Sequence, residues 1–167
     1  MLDTARFHLR ELTGADASER YVSWFSDPVA ARHITAAAST TTVAGVRTYI
    51  EARVGRDDVL FLGIFDRTTG LHIGNIKFEP IDVRQGYAIM GILIGDPEFR
   101  GRGVAGEVLA VTSNWLKANR GITQILLGVS ADNVAAIRAY ERAGFVRTIS
   151  PHMPCASDAY VAMVLQL

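Results

Sequence analysis

A glycine-rich turn at residues 99–106 joins two stretches with different hydrophobic periods. The apolar run Tyr87–Ile94 before it is typical of a strand, and the stretch that begins at Val104 repeats apolar residues at helical spacing. The turn reads Phe-Arg-Gly-Arg-Gly-Val-Ala-Gly, and it exposes successive backbone N–H groups where the helix begins. Such a junction is a ready site for a pyrophosphate, so the turn constrains both the fold and the ligand.

The chain before this turn predicts one strand, two helical segments and a meander. Phe7–Leu12 alternates as a strand, and Asp16–Ile34 shows helical spacing with a break at Asp27-Pro28. Thr40–Thr42 supplies a cap for a further helix. Short turns join the next three strands, which indicates an antiparallel meander: Val59–Phe65, His72–Glu79 and Tyr87–Ile94.

The chain after the turn predicts two helices and three strands. A long helix begins at Val104, a buried strand spans Ile122–Val129, and a second helix spans Val134–Ala143 behind an Asn133 cap. Two final strands enclose an irregular loop at Ser150–Asp158: Phe145–Ile149 and Tyr160–Leu165. Together these elements predict a single α/β (α+β) domain over residues 1–167. Its sheet is expected to be mixed and mostly antiparallel, with about seven strands, flanking helices and one right-handed parallel crossover.

Charge and composition exclude several classes of partner. Among 167 residues, 17 basic side chains balance 17 acidic ones, so no net field gathers nucleic acid. No apolar run reaches the length of a bilayer span and the N-terminus lacks a signal-peptide pattern, which predicts a cytoplasmic protein that binds no membrane. Cys155 is the only cysteine, and His33, His72 and His152 are scattered, so no metal site is expected.

Two common phosphate-binding motifs fit the turn poorly. Gly101, Gly103 and Gly106 satisfy G-x-G-x-x-G, but a nicotinamide or flavin site also needs an acidic residue about twenty positions later, and 121–126 contains none. The turn also lies outside the first strand-helix unit, where dinucleotide-binding folds place it. A Walker loop fails because no Gly-Lys-Ser/Thr follows.

Two motifs resemble the GNAT superfamily of N-acetyltransferases. Residues 100–105 match its acetyl-CoA signature as Arg100-x-x-Gly103-x-Ala105, and 133–145 match its Asn-x-x-Ala-Ile-x-x-Tyr-x-x-x-Gly-Phe segment. The spacing between the two motifs is filled by one helix and one strand, as in that family. The opening of the chain is similar to the RimJ/RimL-like branch, on five residues: Leu9, Arg10, Trp24, Asp27 and Pro28.

The resemblance implies acetyl-CoA as the cosubstrate and a GNAT-like splayed sheet. The turn amides would hold the pyrophosphate, with Gly101 and Gly103 leaving room for its approach. Gly95 interrupts an apolar strand and is expected to mark a bulge or a splay of the sheet, beside which strand amides would stabilise an oxyanion. The residues expected to bind the cofactor are Ile92, Leu93, Ile94, Phe99, Arg100, Gly101, Arg102, Gly103, Val104, Ala105, Gly106, Asn133, Ala136 and Tyr140.

Tyr140 is the expected catalytic residue, as the acid that protonates the leaving thiolate, although a tyrosine that only covers the core is the alternative. Related sequences often carry Glu as a general base where this chain has Ile89, which leaves Glu79, Asp82 and Tyr87 as candidates. A missing carboxylate favours a weakly basic acceptor, because an α-amine near pKa 7.8 costs far less to deprotonate than a lysine near 10.4.

The resulting hypothesis is an N-acetyltransferase that works by direct amine attack, as a monomer or homodimer, on an N-terminal α-amine or an amino sugar. Cys155 is then not a nucleophile. Acceptor recognition is expected from Trp24–Tyr49 and Ser150–Asp158, although Trp24 and Phe25 are equally well explained as core. Two alternatives stay open: a degenerate module that only senses acyl-CoA, and a nicotinamide oxidoreductase.

Overall fold

The fold is one eight-stranded sheet flanked by α-helices, seen in a computed structural model that describes residues 1–26, 42–153 and 159–167. The strand order is β1-β2-β3-β4-β5-β6-β8-β7. Within the described ranges the elements are β1 Leu2–Asp3, β2 Phe7–Glu11, α1 Glu19–Ser26, α2 Val43–Glu51, β3 Leu60–Asp66, β4 His72–Asp82, β5 Tyr87–Ile94, α3 Val104–Arg120, β6 Gln124–Ser130, α4 Val134–Arg142, β7 Val146–Arg147 and β8 Tyr160–Gln166.

The predicted meander and crossover are confirmed. Strands β1 to β5 pair in antiparallel order, β5 and β6 pair in parallel through α3, and β6 pairs with β8 antiparallel. The sheet has one strand more than expected, because the two-residue β1 pairs Leu2 with Leu9. A strand that short has no detectable sequence period, since the signal needs at least four residues.

Local signals fix the helix ends. The Thr42 side chain accepts the Gly45 N–H at 3.0 Å and caps α2. Asn133 caps α4 in the same way, accepting the Ala136 N–H at 3.2 Å. Gly121 ends α3 in the left-handed region with φ 65°, where a side chain would be strained. Some features expected from the sequence lie outside the described residues: the helix break at Asp27-Pro28, residues 40 and 41 of the expected cap, His33 and Cys155.

Two apolar layers enclose the sheet. The larger core lies under α3 and α4 and includes Phe78, Val108, Leu116 and Ile125. The smaller core lies under α1 and α2 and includes Tyr21, Trp24, Phe25, Ile50 and Phe61. Trp24 is therefore core, as the alternative explanation had it. No helix in the described part of the chain is long and apolar enough to cross a membrane.

Strands β5 and β6 separate after three residue pairs. They pair at Tyr87↔Gln124, Ala88↔Ile125 and Ile89↔Leu126, whereas β5 stays paired with β4 as far as Ile94. Strand β6 stays paired with β8 as far as Ser130. The opening thus begins after Ile89, five residues or more before Gly95, so Gly95 does not mark the splay. The other expectation, a bulge, agrees with the backbone, because the Gly95 and Asp96 N–H groups both donate to the Ile73 carbonyl at 3.0 Å. Gly95 is small for another reason, which is its contact with Trp24.

Candidate active site

The glycine turn has the geometry of a phosphate cradle. Gly101 and Gly103 have φ of 70° and 75°, which residues with a β-carbon rarely adopt. Gly103 caps α3, and the first N–H groups of that helix have no intrahelical acceptor. Among the described residues, none accepts a hydrogen bond from the amides of 101–106. Orphaned amides around open space fit a pyrophosphate, as the sequence predicted.

A groove of about 750 Å³ runs from this turn between α3 and α4. It leads into a narrow passage at the β5–β6 opening, with Met90 and Ile92 on one side and Ala139 and Tyr140 on the other. Met90 and Ile92 also line a third cavity, of about 410 Å³, on the opposite face of the sheet. The three spaces share walls and therefore lie in series along one route across the sheet, with the passage between the two larger ones narrowed to about 10 Å³. A long donor held in the groove would reach an acceptor in the third space, called here the acceptor cavity.

Most of the predicted cofactor residues border this route. Ile92 and Leu93 line the acceptor cavity, and Ile92 and Tyr140 line the passage. The others on the groove wall are Ile94, Phe99, Gly101, Gly103, Val104, Ala105 and Gly106. Asn133 and Ala136 bond to each other at the start of α4, which gives Asn133 its expected capping function; this function is compatible with a place beside the cofactor, which stays a prediction for both residues.

The two arginines of the turn bind backbone carbonyls. Arg100 donates from Nε to the Ile94 carbonyl at 2.9 Å and from a terminal nitrogen to the Gly95 carbonyl at 2.7 Å. Arg102 donates to the Glu98 carbonyl at 3.2 Å. These contacts engage part of the Arg100 guanidinium, and its contact with the cofactor stays a prediction. Arg100 ties the end of β5 to the turn.

Arg6 is a neighbour of the turn that sequence reasoning missed. It donates to the Arg102 carbonyl at 3.0 Å and forms an ion pair with Glu107 of α3 at 2.7 Å. Its guanidinium also lies 3.8 Å from where a β-carbon on Gly103 would stand. Arg6 is 96 residues from Arg102 in sequence, so no local pattern indicates this contact.

Tyr140 projects from α4 into the passage, where a thioester sulfur would lie. It is partly buried, and its ring packs on Phe145 at 5.6 Å. Burial raises the pKa of Tyr140, so the phenol keeps its proton at neutral pH and can donate it. The same position also packs against the core, so the structure is compatible with both explanations of this residue.

The acceptor cavity has an aromatic wall with few charges. Tyr21, Phe25, Tyr49 and Phe61 line one side, and Ile89, at the family's expected base position, lines another. The Asn75 side chain donates to Tyr21 Oη at 2.8 Å inside the core. Of the segments expected to recognise the acceptor, residues 27–41 and 154–158 lie outside the described ranges.

The three alternative bases differ in their surroundings. Burial opposes ionisation of Glu79, but hydrogen bonds from Lys77 and Arg53 outweigh it and lower the pKa of the carboxyl. Asp82 accepts the Arg84 and Gln85 N–H groups in a turn, and its pKa is also lowered. Tyr87 stacks on His152 at 4.2 Å. Lowered pKa values make both carboxylates weak proton acceptors. In the described part of the chain, no group of three acidic, His or Cys residues could hold a metal.

Comparison with known proteins gives one family. Residues 6–146 match the acetyltransferase (GNAT) domain. An uncharacterized N-acetyltransferase, YobR of Bacillus subtilis, is 29% identical over 92 residues, covering 55% of this chain and 34% of that protein. N-alpha-acetyltransferase 30 of Schizosaccharomyces pombe is 38% identical over 69 residues, covering 40% of this chain and 45% of that protein. The matches thus span less than half the length of these relatives.

Solved structures share the fold at low identity. A ribosomal L7/L12 α-N-protein acetyltransferase, RimL, solved with coenzyme A, has a TM-score of 0.82 at 15% identity over 98% of this chain and 96% of its own. The microcin C7 self-immunity acetyltransferase MccE, solved with acetyl-CoA and AMP, has a TM-score of 0.82 at 16% identity, over 98% of this chain and 93% of its own. A dodecameric spermidine N-acetyltransferase of Vibrio cholerae has a TM-score of 0.74 at 16% identity, over 96% of this chain and 93% of its own. These likenesses establish the fold, and the acceptors differ between them.

Proposed function

This chain belongs to the acetyltransferase (GNAT) family, and from that premise we propose that it transfers an acetyl group from acetyl-CoA to a primary amine by direct attack. The observation that carries the proposal is the alignment of three neighbouring spaces from the glycine turn, past the β5–β6 opening, to the acceptor cavity. A donor and an acceptor that enter from opposite faces would meet at Met90 and Ile92. Direct transfer requires such a meeting point.

The chain's own groups supply binding and orientation for the reaction. Orphaned amides at 103–106 would hold the pyrophosphate, and the partial positive charge of the α3 N-terminus would add about 0.3–1 kcal/mol. Beyond Ile89, β5 has no β6 strand beside it, so backbone N–H groups on that edge are free to bind a thioester carbonyl. Each such donor is worth about 3 kcal/mol when negative charge develops on the oxygen.

The transfer balances without a covalent enzyme intermediate. The amine lone pair attacks the thioester carbon, a C–N bond forms, and the C–S bond then breaks. The nitrogen loses a proton to solvent, and the Tyr140 phenol donates a proton to the departing sulfur. Because burial raises the pKa of Tyr140, the phenol stays protonated at neutral pH, and full transfer to the sulfur is more uphill than from a free tyrosine. The phenol therefore acts first as a hydrogen-bond donor to the developing thiolate, and a phenolate that has given up its proton takes one back from solvent.

The acceptor class follows from the missing base. Ile89 offers no carboxylate, and the lowered pKa of Glu79 makes it a weak base. Deprotonating a lysine at pH 7 costs about 4.6 kcal/mol, whereas an α-amine costs about 1 kcal/mol. We therefore propose a protein N-terminal α-amine or an amino sugar as acceptor. The apolar residue at position 89 also keeps a second candidate open, a domain that binds acyl-CoA without turnover.

Free thiol release separates these candidates. Purified protein is incubated with acetyl-CoA and a panel of short peptides, amino sugars and polyamines, and coenzyme A binding is measured by calorimetry on the same material. Binding with turnover of at least one amine supports the enzyme. Binding without turnover of any panel member supports the sensor domain, and absence of binding contradicts both.

A further inference from the structure

A cluster of charges reaches the wall of the acceptor cavity and extends behind it, and over the whole cluster the cations outnumber the anions. The Glu79 carboxylate accepts from Lys77 Nζ at 2.8 Å, from Arg53 Nε at 2.9 Å and from Arg56 at 3.0 Å. Asp58 pairs with Arg56 at 2.7 Å and is the second carboxylate of the group. Three cations thus share two carboxylates, and the cluster has an excess positive charge.

Lys77 is the cation of this cluster on the cavity wall. Lys77 and Glu79 are the only charged side chains among the described residues that line the cavity, and Arg53 and Arg56 lie behind them. The Lys77 side chain is 23% exposed, and its Nζ also donates to Tyr49 Oη at 2.8 Å. A half-buried ammonium is screened less by solvent and salt than a surface lysine.

The register places Lys77 next to the reaction point. Lys77 on β4 is the direct cross-strand partner of Gly91 on β5, so both lie on the cavity face of the sheet. Gly91 has no side chain, and nothing lies within 4 Å of where its β-carbon would stand. Gly91 lies just beyond the last residue pair between β5 and β6. Lys77 therefore borders the β5–β6 opening, and no side chain at position 91 separates Lys77 from that opening.

We propose that the acceptor carries an anionic group, a carboxylate or a phosphate, close to its reacting amine, and that Lys77 recognises this group. This inference rests on the proposed function. A second amine on the acceptor would meet the excess positive charge, so polyamines are poor acceptors even though spermidine acetyltransferases share the fold. The aromatic wall then contacts the uncharged part of the acceptor.

Matched pairs of acceptors test the proposal. One arm compares a Ser-Glu peptide with Ser-Gln, a second compares glucosamine 6-phosphate with glucosamine, and spermidine is included. The anionic member of at least one pair should have a kcat/KM roughly five- to tenfold higher, the size of one partly buried ion pair. The two arms identify the source of the anion. Equal rates within both pairs, or spermidine as the best acceptor, would overturn the proposal.

Two variants assign the preference to Lys77. Lys77→Met removes the cation and keeps a long unbranched side chain. The ratio of kcat/KM for the anionic acceptor to kcat/KM for its neutral partner should therefore fall to about one. Arg56→Met removes the same charge from a residue that is 43% exposed and outside the cavity wall, and it should keep most of the preference. A ratio unchanged in Lys77→Met contradicts the inference. Turnover of the neutral acceptors shows that each variant is folded and active. If the wild type turns over none of the acceptors, both the proposed function and this inference are contradicted.

Discussion

The indole ring of Trp24 occupies the space that a side chain at Gly95 would need. A β-carbon built on Gly95 would overlap the Trp24 ring, which is 3% exposed in the core under α1. Gly95 follows β5, so this contact holds α1 against the end of the strand that leads to the glycine turn. Arg20 of the same helix pairs with the buried Asp96 and reinforces the contact.

Gly95→Ala should therefore destabilise the protein. The added methyl group must displace a buried indole ring, and overpacking of this kind costs about 1–3 kcal/mol. Gly91→Ala is the matched control, because that residue is also in extended chain and no atom lies within 4 Å of the new carbon. Urea unfolding of both variants measures the difference. Equal midpoints would show that Trp24 moves aside at no cost.

Gly103→Val should abolish coenzyme A binding while the protein remains folded. Valine is strained at φ 75° and its side chain would cover the amides that face the groove. Gly70→Val is the control for strain alone, since Gly70 has φ 71° in open space in the β3–β4 turn. Calorimetry with coenzyme A should detect binding to Gly70→Val only. Binding of equal strength by both variants would place the pyrophosphate elsewhere.

Tyr140→Phe should lower kcat about 10²-fold, the lower range for a general acid, with little change in affinity for coenzyme A. The phenyl ring keeps the packing on Phe145, so only the hydroxyl is lost. If thiol release by Tyr140→Phe equals that of the wild type, Tyr140 belongs to the core alone.

His72 should make stability fall as the pH drops from about 6.5 to 4. Burial is the largest cause that lowers the pKa of His72 to about 4, and its Nε2 has no partner among the described residues. Between these values the unfolded chain binds a proton that the folded chain does not, so unfolding is favoured by about 2–3 kcal/mol at the lower limit. Above pH 6.5 the effect vanishes.

His72→Phe tests this pH dependence. Phenylalanine keeps a ring against Phe65, where the His72 ring stacks at 4.7 Å, and removes the titrating group. Unfolding free energies at pH 7.5 and pH 5.0 should differ less in the variant than in the wild type. An identical pH difference would show that His72 does not cause the loss. Asp16 cannot cause it either, because hydrogen bonds from Arg10 and Thr13 outweigh burial and lower its pKa to about 2, so its contribution is lost only below about pH 4.

Sequence alone determined the elements whose signals are local. The bounds of β5 were predicted as Tyr87–Ile94 and are confirmed. The helices that follow Thr42 and Asn133 begin at these N-caps, as expected. Paired motifs at a fixed spacing also identified the family. Periodicity, caps and turns act between residues a few positions apart, so the order of residues is enough to reveal them.

Only the tertiary structure decided where β5 and β6 separate, what Arg100 binds, why Gly95 is small, and which charges surround Glu79. Most of these depend on residues that folding brings together from distant segments: Trp24 contacts Gly95, Arg53 reaches Glu79 across 26 positions, and Arg6 reaches Arg102 across 96. The contacts of Arg100 are closer in sequence, but their geometry depends on how the turn folds back on β5. A side chain's partner is set by strand register and helix docking, which minimise the energy of the whole core. The sequence therefore predicts which elements form, and the packing of those elements decides what each functional side chain contacts.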